Sequence, residues 1–352
     1  MRYRFLLGAL TLVAILTLIQ QRGNLRGALS SDQRGGSHTT LHTTSKNLGE
    51  SSPTSPPVRR NGALKHLLQT ITTTSTYFIE CPLPASEFAK MGKRLQVLQS
   101  WIGASQDLTH QVTPEQATAL LDRIDKTALA LFPFLRNPTK SFDSSLSHIR
   151  HSFTPGSKGI VIPTGQKTFR YACHLIGNLR EVLGSKLPIE IVYAGDSDLP
   201  SSHRDFISGL GSDIAMVDIL QVFNDTPLDL QHGGWAIKTF AALGSQYEQV
   251  LMLDADAVLL QAPETIFDRH KGYQSTGALL FHDRLLWQGE FKERHKWWEK
   301  QLKHHTPSEA LVKSRVYNEG YAEECDSGLV VLDKGRLPVL LGLLHACWQN
   351  TK

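Results

Sequence analysis

Apolar positions recur along this chain in two different rhythms. Between Ala63 and Arg150 they fall three and four residues apart, the period of one helix face. In "EFAKMGKRLQVLQSWI", Phe88, Met91, Leu95, Leu98 and Ile102 keep that spacing. "TPEQATALLDRIDKTALALF" opens with Thr113 as N-cap, Pro114 at the first helical position and Gln116 at the third, a capping-box pattern. This segment carries no catalytic constellation, and packing against the next domain is its expected role.

From Gly159 the rhythm changes to short apolar runs alternating with amphipathic stretches. "GIVIPTG" predicts a strand entering a turn. "KTFRYACHLIGNLREVLG" predicts a helix with Phe169, Ala172, Ile176, Leu179 and Leu183 on one face and Gly184 as its C-cap. "PIEIVYAG", "DIAMVDIL", "QVLMLDADAVLL", "TGALLFHD" and "SGLVVLDKG" read as further strands, and "GWAIKTFAALGSQY" as a helix. Such alternation predicts an α/β fold with a mostly parallel sheet flanked by helices. Ligands of such sheets sit beyond the carboxyl ends of the strands.

The first 22 residues belong to neither rhythm. Arg2 and Arg4 precede an uncharged run from Phe5 to Ile19, and Arg22 comes after it. The run would span about 22 Å as a helix, short for a hydrocarbon core of about 30 Å. A cleaved secretory signal and an uncleaved signal-anchor compete here. The next stretch, "QQRGNLRGALSS", lacks a small-x-small cleavage site, which favours the anchor. Residues 23–62 are rich in Ser, Thr, Gly and Pro and read as a disordered stem. The expected organisation is therefore tail and anchor (1–22), stem (23–62), helical segment (63–150) and α/β domain (151–352), the candidate ligand-binding part.

Composition narrows this picture. The chain is 41% hydrophobic and 20% charged, with a net charge of +4 and no long Lys/Arg block, so no nucleic-acid partner is implied. Four cysteines (Cys81, Cys173, Cys325, Cys347) are available for disulfides in a secretory lumen or for burial as thiols. None forms a CxxC pair, which argues against zinc. One glycosylation sequon, Asn224-Asp225-Thr226, is followed directly by Pro227.

The chemistry centres on "QVLMLDADAVLL". Residues 250–253 are continuously apolar, which suits a strand covered on both faces. Asp254 and Asp256 then fall at its carboxyl end, pointing to one side if the chain stays extended. Two acids this close repel unless a cation intervenes, and Mg²⁺ or Mn²⁺ suits few carboxylates plus phosphates and water. Nucleotide-sugar glycosyltransferases use Asp-x-Asp in this way. Phosphatases of the haloacid-dehalogenase type use Asp-x-Asp-x-Thr/Val, but at the end of the first strand. Here at least three sheet strands precede the pair.

The order of "GIVIPTGQKTFRYACHLIGNLREVLGSKLPIEIVYAGDSDL", "GGWAIKTFAAL", "QVLMLDADAVLLQAPETIFD", "TGALLFHDR" and "ECDSGLVVLDKGR" resembles the fungal α-1,3-mannosyltransferase family over about residues 159–348. The resemblance implies a GT-A fold, GDP-mannose as donor, Mn²⁺ as cofactor and transfer with retention to a mannose-containing glycan. It also implies a type II Golgi membrane protein with a luminal catalytic domain, alone or within a mannosyltransferase complex. Asp254 and Asp256 match the metal-holding Asp-x-Asp, with Asp256 the expected direct ligand. Lys238, after two glycines at a helix start, is expected near phosphate. Trp235 beside it could wall the pocket, with core packing the expected role. Thr164 and Gly165 are candidates for nucleoside contacts. Asp196 and Asp198 read as a solvated turn. Asp326 is expected to orient the acceptor hydroxyl or steady the transition state, with Glu324 a weaker candidate. A third metal ligand from a later segment is not evident, since His345 falls mid-helix. A shortened glycosyltransferase-like protein that binds nucleotide or glycan without catalysis is the alternative expectation.

Overall fold

The structure is a computed structural model and describes residues 57–108, 112–136, 146–232, 234–282, 287–303, 306–307, 309–321 and 325–351. The anchor read at 1–22 and most of the stem read at 23–62 lie outside the described residues. Among the described residues, no helix is long and apolar enough to cross a membrane.

Six strands form one sheet: β1 (Thr154–Pro163), β2 (Ile189–Tyr193), β3 (Ile214–Asp218), β4 (Tyr247–Leu253), β5 (Ala278–His282) and β6 (Cys325–Asp333), in the order β3-β2-β1-β4-β6-β5. β1 pairs in parallel with β2 and β4, and β2 with β3. β6 alone runs against the others, antiparallel to both β4 and β5. The fold is thus the mostly parallel α/β sheet that the alternation predicts.

Longer helices cover both faces: α1 (Pro57–Glu80), α2 (Phe88–Leu108), α3 (Pro114–Leu131), α4 (Phe169–Gly177), α5 (Ser201–Ser208), α6 (Ile237–Gly244), α7 (Lys292–Leu302) and α8 (Leu337–Gln349). Successive strand residues point to opposite faces. Val161, Val192, Val250 and Met252 therefore join Leu98, Ile124, Phe240 and Leu344 of the helices in one cluster. Ile160, Ile162, Ile191 and Leu251 join Leu175 and Ile207 on the other face. The N-terminal helices share the first cluster with the sheet, so the helical segment packs directly on it.

The local patterns meet the structure residue by residue. Phe88, Met91, Leu95, Leu98 and Ile102 are all buried. Thr113 caps α3 with the reciprocal Gln116 bond of a capping box. α1 starts at Pro57, inside the stretch read as stem. The helix begun by α4 continues from Asn178 to Val182 as a π-helix, and Gly184 comes next but one at φ +63°. Cys81, Cys173 and Cys347 form no disulfide.

The strand predicted through "DADAVLL" is shorter than expected: β4 ends at Leu253. Ala257 N–H donates to Asp254 O at 3.0 Å and closes a turn there. Val258 and Leu260 are then 73% and 89% exposed, and of the apolar run beyond the two acids only Leu259 is buried.

Candidate active site

Asp254 sits where β4 stops. Its N–H still donates to Gly328 O of β6 at 2.9 Å, so it forms the last rung between the two strands. Its carboxylate forms an ion pair with the Lys238 ammonium, and the two side chains are only 20% and 4% exposed. Lys238 lies in the first turn of α6 and also donates to Ser327 Oγ at 3.2 Å. Its Nζ lies 4.6 Å from the centre of the Trp235 ring. Trp235 itself, in the 3₁₀ turn Gly234–Ala236, is 53% exposed. It is therefore a rim residue, contrary to the core packing expected of it.

Asp326 reaches the same place from β6. The register of β5 on β6 jumps from Leu280↔Val330 to Phe281↔Asp326, so residues 327–329 bulge out of that pairing. The bulged residues turn to β4 instead: Leu329 pairs with Leu253, Gly328 O receives Asp254, and Ser327 receives Lys238. Asp326 Oδ1 accepts from Gly328 N at 2.6 Å. A Cβ on Gly328 would stand 2.9 Å from Asp326 Oδ1 and 3.9 Å from Asp254 Oδ2. The missing side chain lets the two carboxylates border one small space. Asp256, in the turn after β4, is exposed.

Charge in this corner is unbalanced. Burial pushes the Asp254 carboxyl above its ordinary value, Lys238 opposes that rise, and the charges of Asp256 and Asp326 add to it. Burial pulls Lys238 down, and Asp254, Asp256 and Asp326 pull it back up. Among the described residues, one ammonium thus faces three carboxylates. An oxygen-only, surplus-negative corner fits a hard divalent cation. Among the described residues, no three His, Cys, Asp or Glu side chains converge to enclose an ion. The fit is therefore to a cation held by one or two carboxylates, with its other ligands drawn from phosphate and water.

The turn after β1 is closed on itself. Thr164 is buried, its N–H donates to Val192 O at 2.9 Å, and its hydroxyl lies 2.8 Å from that of Thr168. Gly165 N–H donates to Thr168 Oγ1, and Gly165 O accepts from Thr168 N. These bonds occupy both N–H groups of the turn, so a nucleoside contact by either residue falls to a carbonyl or hydroxyl oxygen. Asp198 packs so closely on Gly165 that a Cβ there would lie 2.2 Å from Asp198 Oδ1. Asp198 also accepts from Ala194 N at 2.9 Å, and burial raises its carboxyl. Asp196 is solvated and paired with Arg204 at 2.6 Å. His345 is buried and stacked on Phe88 at 4.2 Å, and burial pushes its ring down to about 3. It is a packing group. Glu324 lies outside the described residues.

Sequence reading missed Ser327 and Gly328. The "DSG" triplet held both, but only the bulge brings them against β4.

The acids stand at the strand ends of an α/β sheet, the place where such sheets hold their ligands. Residues 157–347 match the family model described as "Mannosyltransferase putative", more than half of the chain, and the chain belongs to that family. It is 26% identical over 248 residues to the Candida albicans protein named "Putative alpha-1,3-mannosyltransferase MNN1", covering 58% of this chain and 30% of that one. It is 25% identical over 235 residues to the alpha-1,3-mannosyltransferase MNT2 of Saccharomyces cerevisiae, covering 58% and 41%. It is 29% identical over 135 residues to the alpha-1,2-mannosyltransferase MNN23 of Candida albicans, covering 37% and 22%. The chain spans less than half the length of these relatives. Among solved structures, the apo WbbM bifunctional glycosyltransferase aligns over 51% of this chain and 32% of that one, at 13% identity and TM-score 0.35, too slight a likeness to build on.

Proposed function

We propose that this protein is a glycosyltransferase that moves mannose from GDP-mannose to a mannose-containing glycan, with retention and Mn²⁺ or Mg²⁺ dependence. The observation that carries the reading is the corner at the ends of β4 and β6, where Lys238 faces Asp254, Asp256 and Asp326 inside the family-matched region. Asp256, exposed in its turn, holds the cation, and Asp254 backs it. When bound, the cation neutralises charge on the departing diphosphate. Lys238, already seated beside Asp254, adds fixed positive charge at that position. Asp326, on the rim, orients the acceptor hydroxyl. Relatives named for both α-1,3 and α-1,2 transfer bear on linkage, and we favour α-1,3 from the order of motifs. In this reading residues 1–22 anchor the protein in the Golgi membrane with the domain luminal. The phosphatase arrangement is disfavoured because the acid pair comes after the fourth strand in the chain.

The test is calorimetric titration of GDP with and without Mn²⁺. Affinity should require the metal, and Asp256→Ala should weaken metal-dependent binding by roughly 10²-fold or more with little change in Tm. GDP affinity that is indifferent to excess chelator would remove the reading.

A further inference from the structure

The sheet holds the main chain of the Asp-x-Asp pair on one side only. β4 gives its last rung at Asp254, whose N–H donates to Gly328 O at 2.9 Å. Its pairing with β1 has already ended, at Met252. Asp256 comes two residues after that rung and is exposed, so the course of the backbone decides where its carboxylate stands. The turn closed by Ala257 N–H on Asp254 O fixes the near side of Asp256. Burial does little for the far side, where Val258 and Leu260 are exposed and Leu259 is buried between them.

The far side is held by one side chain that comes 81 residues earlier in the chain. Asn178 Nδ2 donates to Leu259 O at 3.2 Å, and Leu259 N–H donates to Asn178 Oδ1 at 3.1 Å. A carboxamide carries a donor and an acceptor side by side, as a peptide group does. Here it exchanges both bonds with a single residue, as a residue of an antiparallel neighbour would. Asn178 thus stands in for a strand that the sheet does not supply at this point. Asp256 is suspended between two fixed points, the rung at Asp254 and the clamp at Leu259.

The clamp is itself well seated. Asn178 opens the π-helix that continues α4, its N–H bonds to His174 O and Leu175 O, and its O accepts from Leu183 N at 3.0 Å. Single π turns inside helices occur frequently at functional sites. Further along, Glu264 Oε1 accepts from Ser185 Oγ at 2.7 Å and from Lys186 N at 3.0 Å. Both ends of the stretch 259–264 are therefore strapped to one short region, residues 178–186. Of the two straps, Asn178 is the nearer to Asp256.

Resting on the metal-dependent reading above, we propose that Asn178 is a positioning residue of the cation site. It holds Leu259, and through Leu259 it presets the place of the Asp256 carboxylate. Without it Asp256 is present but free to swing, so binding must first order the loop, at a cost in affinity.

The test is a double-mutant cycle on the full chain, read as GDP affinity in saturating Mn²⁺ by calorimetry. Asn178→Ala should weaken that affinity roughly tenfold, the size of effect expected of a group that orients a metal ligand. In an Asp256→Ala background, with no carboxylate left to place, the same change should cost less than about twofold. GDP affinity in excess chelator should not move. Hydrogen exchange of the metal-free chain should speed up over residues 256–260 in Asn178→Ala. Asn178→Asp keeps the bond from Leu259 N–H and loses the other, so it should cost about threefold, and it carries the cycle if Asn178→Ala does not fold. Unchanged affinity in the single variants would overturn the proposal. So would equal losses with and without Asp256, which would make Asn178 a general support of the fold. A wild-type chain whose GDP affinity ignores Mn²⁺ would instead sink the donor reading, and this one with it.

Discussion

Two buried lysines stand at opposite ends of helix α6, and they are held in different ways. Lys334, just after β6, is 1% exposed and donates to Leu243 O at 3.3 Å and Ser245 O at 2.5 Å, the carbonyls that end the helix. A cation at a helix C-terminus meets favourable partial charge. Its nearest acid, Glu190, is equally buried and acts on it at longer range. Lys238 is 3% exposed but sits in the first turn of the same helix, where the macrodipole repels it. It is held there by side chains, and the acids around it outnumber it. The lesson is one of balance. A buried charge matched by main-chain carbonyls and closed from solvent serves the fold. A buried charge in an unfavourable place, facing more opposite charge than it can neutralise and opening to the surface, marks a place for something else.

That contrast can be broken most directly by removing each ammonium. Lys238→Ala should cut sugar transfer by about 10²-fold, read as kcat/KM for GDP-mannose. Lys334→Ala should leave the site chemistry intact but cost about 3 kcal/mol of stability, read by urea unfolding, because two carbonyls and Glu190 lose their buried partner. Equal losses of stability with no loss of transfer in Lys238→Ala would erase the distinction.

The pH dependence of stability sharpens it next. Burial pulls the Lys334 ammonium from 10.5 down to about 7. Between these values the unfolded chain holds a proton that the folded chain does not. The contribution of Lys334 to stability should therefore rise with pH from about 7 to about 10.5 and stay flat below 7. Unfolding free energies measured over this range should rise less steeply in Lys334→Met than in the wild type.

The smallest effect tests the space between the acids. In Gly328→Ala the new methyl would press on Asp326 Oδ1, an atom that the Gly328 N–H itself holds in place. Asp326 should shift, and transfer should fall roughly tenfold while stability changes by less than about 1 kcal/mol. Full activity in this variant would mean that the position of Asp326 is not critical.

Much of this fold could be read from local periodicity. The runs Ile160–Ile162 of β1, Ile191–Tyr193 of β2 and Val250–Leu253 of β4 are continuously apolar because helices cover both sides, and the capping box at Thr113 wrote its helix start into four residues. Asp254 and Lys238 were legible as site candidates because charge stood beside apolar runs. What periodicity does not hold is pairing between distant segments. The reversal of β6, its insertion between β4 and β5, and the bulge at 327–329 depend on register over long sequence separations. Ser327 and Gly328 gain their meaning only there. The end of β4 was also hidden: the turn at Asp254 contains no Gly or Pro, and "AVLL" carries the apolarity on past it. The exposure of Trp235 likewise comes from a turn that a helical pattern conceals.

The place of β6 has a consequence for how the protein is made. Among the described residues, β5 pairs with β6 and with no other strand, and Asp326 and Ser327 travel on β6. During synthesis from the N-terminus, Asp254, Asp256 and Lys238 emerge well before the strand that completes their surroundings. A growing chain thus holds an open gap beside β4, with β5 waiting unpaired. The charged corner closes in one late step, when β6 slides between its two neighbours. Ribosome-bound chains ending before Cys325 would carry the Asp-x-Asp pair but lack the corner that β6 completes.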